Sequence, residues 1–551
     1  MRRLGRAGEV LAGGEPFRLV RLTEAGSRVL DGLAGGGPAG WESPVSGGLT
    51  EATSHGRAAR SADALARRLI AGGLLHPVPR QRSLLQGEVA VVVPVHDDAG
   101  RVARLLHRLR GDFGGEIVVV DDGSAARHGA ADRTAEVTLR MGGVLHRRPS
   151  ADGPAVARNA GSVALDATEP ATLVAFIDAD VMPAPAWLEG LVGHFDDPDV
   201  GAAAPRVCAG RGVGHIGGAL ARYDSLRSPL DLGATPAMVG AHRRVSYVPS
   251  AAILCRRAAL DDVGWFEPSM RFGEDVDLVR RLEAAGWIVR YEPRVRVWHD
   301  GRGGFLALAR QRFSYGTSAA ELEHRHPGTV APFEATWWGA IAVAAGVIFA
   351  VAALSRLRGT LGRTWDTCVP HRRESRGAGP IAGRPTVIGG AGTGVMAWLV
   401  ATALPVRKLG AKLTQAGVPA PTRTALVMIT RAQLWTAAGA ATATRRVGWP
   451  LGLATATVAP RLRRPLLGLL CASELAGSLP PWHRARRSAT EGGGPGRPGG
   501  LPATLALGAL DDLAYGAGVW AGCIRRRSFR ALSPRIGTGP ERPRARQRPA
   551  D

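Results

Sequence analysis

The sequence predicts an α/β protein whose sheet lies within residues 87–325, preceded by a small module and followed by a long helical extension. Three observations lead there. Continuous apolar runs alternate with helical segments, as in buried parallel strands joined by crossovers. Two of those runs end on acidic clusters. The charge is also segregated: residues 355–551 hold 30 basic and 8 acidic side chains, so they carry nearly all of the +23 net charge.

Residues 1–86 read as a small unit. Phe17 to Thr23 alternates like a strand, Thr23 is placed to cap a helix reaching Leu30, and Asp63 to Leu75 is amphipathic. Strand, helix, helix and the turn at His76-Pro77-Val78-Pro79 suggest a winged-helix-like module, with peptide binding as its expected role. An N-terminal extension packed on the next domain is an equal alternative. Met1-Arg2-Arg3 is followed by Glu9 and Glu15 with no apolar h-region, so no signal peptide is expected.

Residues 87–325 carry the chemistry. Val89 to Pro94 is an apolar run, Arg101 to Arg110 a helix, and Glu116 to Val120 a second run ending on Asp121-Asp122-Gly123-Ser124. A helix contains Ala155 to Leu165, and Ala171 to Ile177 is a third run ending on Asp178-Ala179-Asp180. In open α/β sheets, ligands bind beyond the carboxyl ends of the strands, where both clusters fall.

Residues 326–490 change character. Trp337 to Leu354 is 18 residues without a charge. At ~1.5 Å per residue it nearly crosses a ~30 Å hydrocarbon core, so one spanning or deeply inserted helix is expected. Weaker apolar stretches follow, with Arg and Lys between them that suit anionic lipid on the cytoplasmic face of the membrane. Residues 491–551 comprise a Gly-rich linker, an apolar segment with Asp511-Asp512 in its middle, and a basic tail expected to be disordered. The basic part lacks the aromatic surface that stacks bases, so nucleic acid is not expected as a partner. Five scattered cysteines without CxxC spacing suggest neither a zinc site nor disulfides.

Each motif has a bland reading beside the functional one. Asp178 and Asp180 can hold a divalent cation on substrate phosphates, or form an acidic loop. Asp121 and Asp122 can accept hydrogen bonds from a base or ribose, or build a turn. Glu274, Asp275 and Asp277 open a helix whose dipole favours them, and a carboxylate there can also act as general base. His299, after the strand-like Val295 to Trp298, can ligate a metal or sit at a surface. Arg158, in Ala157-Arg158-Asn159-Ala160-Gly161, can pair with a diphosphate or be a solvated charge. Gly212-Val213-Gly214-His215-Ile216-Gly217 matches a dinucleotide fingerprint but lacks its βαβ setting, so a Rossmann oxidoreductase is rejected.

In this order, Val93-Pro94-Val95-His96-Asp97, the Asp121 and Asp178 clusters, Arg158, Gly273-Glu274-Asp275 and His299 resemble the motifs of inverting family 2 glycosyltransferases of GT-A fold. The resemblance runs from Val89 to about Ala320. It implies a nucleotide-sugar donor, with UDP-hexose favoured, held by Pro94, Val95, Asp97, Asp121, Asp122, Arg158 and Asp178. It also implies Mg²⁺ or Mn²⁺ on Asp180, Asp178 and His299, and catalysis by Asp275 with Glu274 beside it. His96 replaces a common aromatic residue, and the stretch around Gln311 lacks the Trp of processive members. A narrower likeness, through the N-terminal module, Tyr247 to Ala252, Phe313 to Ala320 and Asp511 to Trp520, is to the glycosyltransferases of actinobacterial mycofactocin systems. That implies glucose transfer from UDP-glucose to a peptide-derived small-molecule acceptor, a redox cofactor, with extension to a short β-glucan. A lipid or cell-wall polysaccharide acceptor and an inactive membrane scaffold are the alternatives.

Overall fold

The computed structural model describes residues 2–4, 10–14, 17–34, 55–124, 130–165, 171–210, 219–301, 304–348, 388–490 and 500–537. The N-terminal module has three strands, β1 (Arg2–Leu4), β2 (Val10–Gly13) and β3 (Arg18–Arg21), in an antiparallel sheet of that order, then helices α1 (Glu24–Ala34) and α2 (His55–Ala71). Only β3 was legible as a strand, because its alternation continues from Phe17 to Thr23, past the strand's own ends. Alternation along β2 gives the module two faces. Leu11 packs with Leu22, Leu30 and Leu69, while Val10 turns to Leu413, Val418 and Ala425 of the C-terminal helices.

The next segment supplies β4 (Val89–Val95), α3 (Ala99–Arg110), β5 (Ile117–Asp122), α4 (Ala130–Arg140), β6 (Val144–Arg148), α5 (Pro154–Leu165), β7 (Leu173–Ile177) and β8 (Val181–Pro183). After these come α6 (Glu189–Val192), β9 (Val200–Ala209), α7 (Ala219–Arg227), β10 (Ala237–Val239), β11 (Ala252–Arg256), α8 (Arg257–Val263), α9 (Glu274–Ala284) and β12 (Ile288–His299). Their sheet runs β10-β12-β9-β11-β7-β4-β5-β6, with β8 paired to β12. Strands β7, β4, β5 and β6 are parallel, as expected. The other half is mixed: β11 is antiparallel to both β7 and β9. A fully buried strand is apolar whichever way it runs, so direction could not be read from these residues.

Strand period two divides the core. Val91, Val93 and Val95 face Leu105, Leu106 and Leu109 of α3, while Ala90 and Val92 face α5 through Ala155 and Ala157. Helix α5 lies close because residue 161 is Gly: a Cβ there would come within 2.4 Å of Val92 Cγ1. Close approach of α5 to the sheet aims Arg158 at the strand ends.

The remaining elements are α10 (Phe305–Thr317), α11 (Ala319–Arg325), β13 (Glu334–Thr336), α12 (from 337 to the edge of the described residues at 348), α13 (Ile388–Gln415) and α14 (Pro421–Arg446). They end with α15 (Trp449–Val458), α16 (Arg463–Thr490), α17 (Leu501–Arg526) and β14 (Arg535–Gly537). Among the described residues, no helix is long and apolar enough to cross a membrane. The expected spanning segment is thus not found: its first part is α12, and 349–354 lie outside the described residues. Pro405 inside α13 and the charges along α14 and α16 interrupt the later apolar stretches. The GxGxxG match, the 491–499 linker and the tail from 538 also lie outside the described residues.

Candidate active site

The strand ends meet at one edge. Leaving β7, the chain turns at once: Asp178 N–H donates to Ala251 O and Val181 N–H to Asp178 O, each at 3.0 Å. On a continuing strand Asp178 and Asp180, two residues apart, would point the same way. The turn instead gives them different neighbours. Asp178 Oδ1 accepts from Arg158 Nη2 at 2.7 Å. Asp180 faces His299, with Nε2 and Oδ2 3.5 Å apart and both side chains 15% exposed. Sheet register explains this pairing. The end of β12 lies antiparallel to β8, with His299 opposite Val181, and Asp300 N–H donates to Asp180 O at 2.9 Å.

Arg158 is the keystone. Its side chain is only 2% exposed, lies over the Phe266 ring, and donates from Nη1 to Glu274 Oε1 at 3.0 Å while Nη2 holds Asp178. Burial opposes the charged guanidinium, but the two carboxylates outweigh it and keep its pKa above the ordinary value. Where a diphosphate was the expected partner, both Nη groups serve the two acidic motifs from within the core. Next to it, Asn159 Nδ2 donates to Phe266 O at 2.7 Å and its Oδ1 accepts from Phe266 N–H at 3.0 Å. These bonds pin the loop that leads to α9.

Helix α9 begins at Glu274, after Gly273 in a left-handed conformation (φ 79°) that suits glycine. The acidic residues therefore occupy its first turn, where the macrodipole favours them. Glu274 is buried on Arg158 and also accepts from Ser250 Oγ at 3.4 Å. Asp275 is half-buried and accepts from Val276 N–H at 2.8 Å. Burial, then the neighbouring Glu274 charge, pushes its carboxyl up to about 7. Asp277, by contrast, is fully buried against Arg281, Arg325 and His326, which hold its carboxyl far below the usual range despite burial. It anchors α11 to α9.

On the other side, β4 and β5 end in register, Pro94 beside Val120 and Val95 beside Asp121. Asp97 takes a left-handed backbone (φ 54°), and its N–H donates to Ser124 Oγ at 2.8 Å. Asp122 is enclosed by Arg148 and the Gly153 N–H. Asp121 accepts from Ser124 N–H through Oδ1, while its buried Oδ2 faces Arg147 at 3.3 Å without a hydrogen bond.

A family model described as "Glycosyl transferase family 2" matches residues 90–263. Pre-mycofactocin glycosyltransferases of two Mycobacterium tuberculosis strains, CDC 1551 / Oshkosh and ATCC 25618 / H37Rv, are each 36% identical to this chain over 535 residues, 96% of it and 95% of theirs. The chain belongs to the pre-mycofactocin glycosyltransferase family. Among solved structures, a mannosyltransferase from Pyrobaculum calidifontis in complex with GDP-Man and Mn²⁺ matches distantly, at 20% identity and TM-score 0.35, over 70% of this chain and 95% of its own.

This glycosyltransferase has a GT-A-like α/β core, and its family motifs converge at one sheet edge. No cluster of three metal-ligating side chains occurs among the described residues. The donors that do converge, a carboxylate and an imidazole at Asp180 and His299, suit a divalent cation that takes its other ligands from a diphosphate and water. Sequence reasoning missed the partners that hold these residues. Arg147, Arg148, Phe266 and Asp300 carry no motif, and only the fold brings them in.

Proposed function

We propose that this glycosyltransferase moves a hexose from a UDP-hexose, glucose being favoured, to a mycofactocin-type, peptide-derived small-molecule acceptor, with inversion. The observation that carries the reading is Arg158, which ties the Asp178 end of the donor motif to the Glu274–Asp275 helix start. That linkage supports reading the two motifs as a donor site with a base beside it. The identity to pre-mycofactocin glycosyltransferases along almost the whole chain supports the acceptor class.

In this reading Asp121 receives the base or ribose, with Pro94, Val95 and Asp97 lining the nucleotide pocket. Asp178 meets the ribose, and Asp180 and His299 would hold Mg²⁺ or Mn²⁺. A bound cation offsets the negative charge that develops on the departing diphosphate. Asp275 takes the proton of the acceptor hydroxyl as that oxygen attacks the anomeric carbon from the face opposite the leaving group. A carboxyl raised to about 7 is well matched to that task near neutral pH. Repeated transfer would give a short β-glucan.

We also assign the C-terminal region to the cytoplasmic membrane surface. Trp337, Ile341, Ile348, Trp435, Leu451 and Val458 are exposed, and the region is basic, a combination suited to lying in an anionic interface. The N-terminal module is assigned to recognition of the peptide part of the acceptor.

The test is nucleotide release by the purified protein across UDP-, GDP- and dTDP-sugars with Mn²⁺. UDP-glucose should give the highest rate. Equal rates with GDP-sugars would remove the donor assignment, and no release from any donor would remove the enzyme reading.

A further inference from the structure

A line of charged residues leads from the Asp180–His299 pair out of the sheet and into the C-terminal helices. His299 ends β12, and its backbone is tied down at that point. Gly210 N–H donates to His299 O at 2.7 Å, and the next residue, Asp300, accepts from Arg104 Nη2 at 3.1 Å. One residue further, the chain passes α7: a Cβ on Gly301 would lie 3.4 Å from Asp224 Oδ2. Asp224 thus stands beside the end of β12, two residues from His299 along that strand end, and its charge acts on the imidazole.

Asp224 is itself held. Its Oδ1 is 3.6 Å from Arg312 Nη2, on α10. The Arg312 side chain is 3% exposed, and Nη2 is out of solvent with no hydrogen bond, so Asp224 provides its charge partner there. Arg312 Nε meanwhile donates to Asp511 Oδ1 of α17 at 3.1 Å, and Asp511 Oδ2 accepts from Tyr223 Oη at 2.9 Å. Tyr223 precedes Asp224 on α7, so Asp511 grips both the arginine and the helix that carry the contact to β12. Packing fixes the three helices at this level. Leu220 and Tyr223 of α7, Leu308 of α10 and Leu507 of α17 form one apolar cluster. Helices α10 and α17 also meet backbone to backbone: a Cβ on Gly518 would collide with Phe313 O, and one on Gly522 with Thr317 O. A buried guanidinium set between two carboxylates in so tight a contact has little freedom to move.

We propose that Asp224 is a positioning residue for the cation site, orienting the His299 imidazole from α7, and that Arg312 and Asp511 hold it in place. This rests on the reading of Asp180 and His299 as the cation pair. It adds that α17, far along the chain, sets the geometry of that pair. A metal-ligating imidazole is commonly oriented by a carboxylate outside the ligand set, and loss of such a partner costs about 10–100-fold in metal affinity.

Mn²⁺ binding to the full-length protein in the presence of UDP, followed by loss of the free-ion EPR signal, tests the proposal. Asp224→Asn should weaken Mn²⁺ by about 10–100-fold, and Asp224→Glu, which restores the charge, should recover part of that loss. Asp511→Asn, one link further away, should weaken it by at least about 2-fold, the low end for a residue acting through a packed chain. Asp512→Ala is the control for loosening alone. It removes a buried carboxylate from the same helix, one that does not touch Arg312, and Mn²⁺ affinity of the folded protein should match wild type. Metal-free UDP binding should be unchanged in all four variants. Wild-type Mn²⁺ affinity in Asp224→Asn would overturn the proposal, and so would an equal loss in Asp512→Ala. If Asp224→Asn does not fold, Asp511→Asn decides by the same criterion. Absence of UDP-dependent Mn²⁺ binding by wild type would instead strike the cation reading itself, and this proposal with it.

Discussion

Asp178 with Asp180 and Asp511 with Asp512 are two pairs of nearby aspartates that end in opposite conditions. At the sheet edge, Asp178 stays 29% exposed while it holds Arg158, and Asp180 faces His299 at the surface of the same edge. Inside the C-terminal helices, Asp511 and Asp512 are shut away on α17. Asp511 accepts from Tyr223 Oη at 2.9 Å and from Arg312 Nε at 3.1 Å; Asp512 is ion-paired with Arg445 and Arg446. Glu474 extends the second cluster to Arg227 and Ser478. A carboxylate whose oxygens are taken up by buried cations and donors braces the fold, and one left with oxygen toward solvent at a sheet edge can meet a ligand. The same residue type thus divides into site and brace according to how its lone pairs are occupied.

That contrast can be broken by exchanging the two kinds of loss. The largest effect is expected at Asp275. Asp275→Asn should lower kcat by about 10²–10⁴-fold, the usual worth of a positioned base, with donor affinity retained. The wild-type rate should rise with pH through about 7 as this carboxyl ionises, and the variant should lack that limb. Stability should move the other way. The folded protein binds this proton more tightly than the unfolded chain, whose Asp titrates near ~4. The contribution is therefore full below ~4 and lost as pH climbs through about 7, so thermal melting of Asp275→Asn should decline less over that window. A pH–rate profile identical in the two proteins would dismiss Asp275 as base.

Next, Asp180→Ala should cost about 10³-fold in kcat/KM, corresponding to several kcal/mol of transition-state charge stabilisation, and should abolish Mn²⁺-dependent UDP binding with little change in melting. Retained metal-dependent binding would show that the Asp180–His299 pair is not the cation site.

The smallest of the three lies in the second cluster. Asp512→Ala should destabilise the fold by about 3 kcal/mol, because it takes from buried Arg445 one of its two carboxylates and leaves Arg446 without that carboxylate. UDP affinity of the folded fraction, by contrast, should match wild type. An unchanged denaturation midpoint would mean that the buried cluster is no brace.

Much of the site was legible in the linear chain. An apolar run followed by acids marks a strand end, and strand ends in α/β sheets gather at one edge, so Asp121, Asp178 and Asp180 could be placed together from order and spacing, while Asp275 and His299 joined them through the family motifs. What could not be read was who restrains whom. Arg158 looked like a ligand for phosphate because a lone Arg on a helix carries no sign of its burial. Its partners, Asp178 and Glu274, stand 20 and 116 residues away. The apolar segment around Asp511 is another case. It was set apart in the 491–551 unit, yet α17 packs along α10, and the cations that satisfy Asp511 and Asp512 come from two other helices, α10 and α14.

The sequence by itself determined the alternation of strands and helices, the family motifs and the separation of a near-neutral catalytic part from a basic extension. These follow from local periodicity, turn chemistry and composition. Only the tertiary structure decided the mixed direction of the sheet, the turn that parts Asp178 from Asp180, and the return of α17 to the catalytic domain. Each of these depends on hydrogen bonds and ion pairs between distant residues, and no local pattern encodes the partner at the other end.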